Sequence, residues 1–129
     1  MHTAKVLTTI AAISVFIIGT STYANRILKN DVQSLEEKIN HVQVSTKNED
    51  WNTAESGLTS ILEEWPKVED KWSILLDHAE IDNIEDALIK VAEYIRAKDS
   101  SSALAELASL KNFISHIPQK EAFSLKNIF

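Results

Sequence analysis

The chain has 129 residues, 13 of them basic and 19 acidic, with a formal net charge of −6 and no cysteine. An acidic chain without a basic run excludes electrostatic binding to nucleic acid and adhesion to anionic headgroups by charge alone. The lack of cysteine excludes disulfides, iron–sulfur sites and a thiol nucleophile. With only two glycines and two prolines, Gly-rich phosphate loops and tight β-hairpins are also out, and the composition predicts an all-α protein.

Val6 to Asn25 carries no formal charge, and its middle, Ile10 to Ile18, is as apolar as a bilayer core. A helix of about 20 residues spans about 30 Å of hydrocarbon. Beyond it come all 19 acidic residues and all but one of the 13 basic ones. Two readings of this segment stand. One is a retained membrane anchor over residues 1–25. The other is a secretory signal cleaved near Ala24, with Thr22 and Ala24 at the positions a peptidase reads. We favour the anchor. Lys5 and the α-amine oppose Arg26 and Lys29, so the positive-inside count is even. The very short N-terminal tail favours the N-terminus inside and an extracytoplasmic body.

The apolar residues Ile27, Leu28, Val32, Leu35, Ile39 and Val42 recur at spacings of three and four. They predict a helical stalk over residues 26–47 that needs a partner along one stripe only. Residues 48–129 are expected to form the helical bundle, entered through an N-cap at Asn48 or Asp50. Trp51, Ala54, Leu58, Ile61, Leu62 and Trp65 fall on one face of the next helix. Pro66 is expected to end that helix and open another.

From Pro66 to Lys98 two apolar stripes disagree. Val68, Trp72, Leu75, Leu76 and Ala79 lie about 160–180° around the helix from Ile84, Leu88, Val91, Ala92 and Ile95. A break near Glu80-Ile-Asp-Asn83, with Asp82 and Glu85 as a capping pair, would bury both stripes in one core. A continuous helix with different partners on its two faces is the rival. The last helix is expected to follow an N-cap at Asp99. It buries Ala103, Leu104, Leu107, Leu110, Ile114 and Ile117 before Pro118, after which Phe123, Leu125, Ile128 and Phe129 pack back on the bundle. The fold expected is a transmembrane or signal helix followed by a small antiparallel bundle of four to five helices.

A weak internal echo relates Asp50, Ala54 and Leu58 to Asp99, Ala103 and Leu107 at the same offsets. A tetratricopeptide-type hairpin repeat would produce such an echo. The period is too long for that repeat, and its glycine and tyrosine positions are missing. Two amphipathic helices with similar caps explain it better.

One group of residues carries a resemblance. It comprises Trp51 with Ala54, Trp65-Pro66, the block Trp72, Leu75, Asp77, His78, Glu80, Ile81, Ile84 and Glu85, then His116-Ile117 and the closing Leu125-Lys-Asn-Ile-Phe129. Over roughly residues 48–129 the chain resembles domain of unknown function 4363, an uncharacterised family of spore-forming Gram-positive bacteria. The resemblance implies a short protein with one N-terminal membrane segment and a helical body. It implies no activity.

Asp77, His78, Glu80 and Asp82, followed by Glu85, form the densest polar cluster. On a continuous helix His78, Asp82 and Glu85 share a face that could hold a proton or a divalent cation. The spacing fits no standard metal signature. The plainer reading has His78 flanking the core and the carboxylates capping a helix, with His116 approaching His78 only if the fold places it there. Trp51, Trp65 and Trp72 are expected in the core, the alternative being a partner or lipid groove. No nucleophile has a visible base in reach. The expectation is a non-enzymatic, membrane-tethered module with no cofactor that meets a membrane protein partner. The alternative is a small ligand- or cation-sensing domain built on the His78 cluster.

Overall fold

A computed structural model describes residues 1–117. Among them are four helices and no strand: α1 (His2–Lys47), α2 (Trp51–Leu75), α3 (His78–Arg96) and α4 (Ser100–Ser115). The expected positions of Pro118, Phe123, Leu125, Ile128 and Phe129 lie outside the described residues.

α1 is one unbroken helix. Its N-terminal part holds a window long and apolar enough to cross a membrane, none of it buried. A signal sequence near an N-terminus meets the same criterion. Hydroxyls do not interrupt this segment. Thr8, Thr9, Thr20 and Thr22 each donate to the carbonyl four residues back, at 2.8 to 2.9 Å. Polar groups satisfied within the helix in this way are compatible with an apolar surround.

The second half of α1 is a wall of the bundle. Leu28, Val32, Leu35, Ile39 and Val42 are buried, as their one-sided spacing predicts. They pack against α2 and α4, so residues 26–47 share the core with the rest of the body. Cross-ties fix the register: Asp31 accepts from Lys71 and from the Trp72 indole, and Glu64 accepts from Ser34 and pairs with Lys38 at 2.6 Å. On the other side Ser115 donates to Glu36 and Lys111 to Asn40. Helices this close leave room only for glycine at position 57, where a Cβ would meet Val42 Cγ2 at 2.8 Å.

Two expectations on helix ends need correction. α2 does not stop at Trp65 but runs through Pro66 to Leu75. Pro66 removes one backbone donor, yet it is exposed, so water can reach the carbonyl it leaves free. Trp65, Val68 and Trp72, all buried, hold both halves against the core. The break between the two stripes exists but lies at Leu76–Asp77. Both residues take extended conformations there, with ψ near 159° and 147°. Asp82 and Glu85 therefore sit inside α3 and cap nothing.

The two other joints are built alike. Glu49 and Lys98 have positive φ, 55° and 56°. In each joint the next residue, Asp50 or Asp99, donates its amide five residues back, to Ser45 or Tyr94, at 2.9 Å. This is a Schellman stop whose last residue is already the N-cap of the following helix. Asp50 caps the Thr53 amide and Asp99 that of Ser102. The correspondence extends well beyond the caps. Buried Val32, Leu35, Ile39 and Val42 match buried Ile81, Ile84, Leu88 and Val91 at the offset that relates Asp50 to Asp99. Ala54, Leu58, Ile61, Trp65 and Val68 likewise match Ala103, Leu107, Leu110, Ile114 and Ile117. The bundle is two helical hairpins of one design packed on each other.

Candidate interaction site

The three tryptophans do not form a surface. Trp65 and Trp72 are buried and meet edge to face, with centroids 5.8 Å apart and an 86° interplanar angle. Trp51 is half-buried against the same core. The polar cluster is dispersed. His78 opens α3 on the surface next to exposed Asp77, Glu80 is half-buried, and Asp82 is exposed. His116 caps α4, its ring nitrogen 2.7 Å from the Asn112 carbonyl. Among the described residues no group of three or more His, Cys, Asp or Glu is arranged to hold a metal ion.

Glu85 has a tertiary role. Its carboxylate accepts from the Trp65 indole at 3.4 Å. It also hydrogen-bonds Glu69 across the α2–α3 seam. That bond, together with partial burial and the neighbouring charges of Glu85 and Asp70, pushes the Glu69 carboxyl above its usual range. A raised carboxyl favours the fold at low pH, and its contribution fades as pH climbs through the folded value. Glu69→Gln supplies a permanent donor to Glu85. It is expected to raise the melting temperature of the detergent-solubilised chain at pH 7 and to shrink the gain the parent shows as pH falls from 7 into the ordinary carboxyl range. A parent-like pH profile in the variant would remove the pair from the account.

α2 and α3 make the sparsest contact of the four neighbouring helix pairs. A groove of about 370 Å³ opens there, floored by Trp65, Leu88 and Ala92 and flanked by Leu62, Ile89, Glu85 and Glu93. A second depression of about 280 Å³ continues it past Leu58 and Ile95 to Glu55 and Arg96. Leu62, expected in the core stripe, is 42% exposed, and Ile89 is 62% exposed. Position 62 lies at the edge of a wide stripe, and the core fills without it. The result is an apolar trough with the Glu69–Glu85 pair at one end and the Glu93–Arg96 ion pair, 2.8 Å, on the flank. Sequence reasoning missed Leu62 and Ile89 as surface residues. The only signal was that Ile89 falls outside the α3 stripe.

The matching family model, described as domain of unknown function (DUF4363), covers residues 22–128. The chain belongs to that family. The match is wider than the residues carrying the resemblance, since it takes in the bundle half of α1 and leaves most of the uncharged segment outside. No curated protein and no solved structure matches the chain.

Proposed function

We propose that this protein is a non-enzymatic, membrane-tethered helical module whose α2–α3 groove receives an amphipathic helix of a membrane protein partner outside the cytoplasm. The observation that carries the reading is the groove: exposed Leu62 and Ile89 over a tryptophan floor, with the Glu69 and Glu85 carboxyls at one end. An apolar helix stripe fills such a trough by the same packing that builds the bundle. A basic residue on the partner beside Glu69 and Glu85 relieves their mutual repulsion, which supplies orientation as well as affinity. The unbroken α1 supports retention of the anchor, because the helix passes through residues 19–25 with the Thr20 and Thr22 hydroxyls satisfied internally.

The test is crosslinking and pull-down of the full-length chain, tagged at its C-terminus, from the native membrane. One stoichiometric membrane partner is expected. It is lost in Leu62→Arg and Ile89→Arg, both of which keep the parent circular dichroism because each side chain is exposed. Recovery of the chain alone, or of the same partner with both variants, overturns the groove reading.

A further inference from the structure

The three interhelical turns differ in kind. The two far from the anchor are polar, Asn48-Glu49-Asp50 and Ala97-Lys98-Asp99, as turns facing water should be. The end of α2 that leads into the Leu76-Asp77 turn reads Ile74-Leu75-Leu76, with exposed Asp77 and His78 following it. Ile74 is 85% exposed, the most exposed large apolar side chain among the described residues outside the N-terminal segment. Leu75 and Leu76 beside it are only half-buried. A bundle surrounded by water has no reason to present this sequence at a tip.

Its height on the molecule supplies a reason. α1 and α2 are antiparallel, joined at residues 48–50, and rise equally at about 1.5 Å per residue. The contacts of Asp31 with Lys71 and Trp72 fix that register at the base. Ile74 then stands level with residues 24–28 of α1, where the uncharged segment ends and Arg26 begins the charged body. α1 is continuous through this level, so the bundle cannot lift away from a bilayer that α1 crosses. The same level carries Tyr23, 68% exposed, and exposed Arg26 and Lys29. An aromatic ring and cations at the end of a span are the usual furniture of the headgroup layer.

We propose that the Ile74–Leu76 turn beds into the headgroup layer of the bilayer beside the anchor, making the lipid surface the second attachment of the bundle. The inference rests on the anchor reading of α1. It leaves the α2–α3 groove clear of the membrane, because Leu62 and Ile89 lie toward the middle of the bundle. It also fixes which way the groove faces, since a body held at two points does not swivel about α1.

The chain has no cysteine, so single labels are unambiguous. Ile74→Cys, Phe16→Cys and Glu49→Cys, each carrying an environment-sensitive fluorophore, are compared in the full chain. The chains are reconstituted in vesicles of phosphatidylcholine and phosphatidylglycerol. In parallel vesicle sets a fraction of the lipid bears a nitroxide either near the headgroup end of its acyl chain, which reads positions 74 and 49, or near its methyl end, which reads position 16. Quenching at position 74 is expected to be several-fold stronger than at position 49 and accompanied by a blue shift. Quenching at 16 without quenching at 74 overturns the bedding and leaves the anchor standing. A blue shift at 74 without quenching means that protein, such as residues 118–129, covers the turn, which also overturns it. Absence of quenching at 16 defeats the anchor and the inference together.

Discussion

Trp72→Ala is expected to remove about 3–5 kcal/mol of stability, the usual cost of deleting a fully buried aromatic side chain. A domain of this size has only about 5–15 kcal/mol in total. The melting temperature should fall by more than about 12 °C. Three effects coincide at this position. The ring is fully buried and packs edge to face on Trp65. Its indole donates to Asp31 at 3.2 Å, which also ties the end of α2 to α1. Lys71 pairs with the other oxygen of the same carboxylate, so the carboxylate keeps a partner when the indole is gone. Trp72→Phe separates the contributions: it keeps most of the packing and loses the hydrogen bond, for about 1–2 kcal/mol. Thermal melts of the two variants in detergent measure both. A loss below about 1 kcal/mol for Trp72→Ala would mean that the site is not a closed core, and the tryptophans would return as a binding surface.

What the sequence made legible follows a physical division. Features set by neighbours in the chain could be read directly. Asp50 and Asp99 precede amides they can cap, and the stripe from Leu28 to Val42 has the period of a helix lying on one partner. The conflict between the Val68–Leu76 and Ile84–Ile95 stripes correctly demanded a turn. Its place was hidden because neither glycine nor proline marks it, and Leu76 and Asp77 adopt extended conformations that any residue can take. Glu85 carried the signature of a cap, but its partners, Trp65 and Glu69, lie a helix away and leave no local trace. The groove was hidden for a related reason. Whether Leu62 is core or surface depends on how far α3 stands from α2, and no local pattern encodes that distance.

Pro66→Ala is expected to stabilise the protein. A proline inside a helix costs about 3 kcal/mol relative to alanine, through the lost hydrogen bond and the clash with the preceding turn. Replacing it loosens the unfolded chain, which returns about 1 kcal/mol of that gain. A net increase of about 2 kcal/mol follows, because Pro66 is exposed and alanine there disturbs no packing. The sign is the informative part. If α2 ended at Trp65 and a new helix opened at Pro66, proline would occupy its favoured first position and alanine would destabilise. A rise in melting temperature therefore reports the continuity of α2 directly, and a fall restores the break. Continuity matters for function, since Leu62 and Trp65 of the groove lie just before Pro66, and Trp72 and Ile74 lie beyond it. One rigid α2 places the groove at a set height above the Ile74–Leu76 turn. A hinge at Pro66 would let the two attachments move independently, and a partner helix would then meet a groove of no fixed orientation.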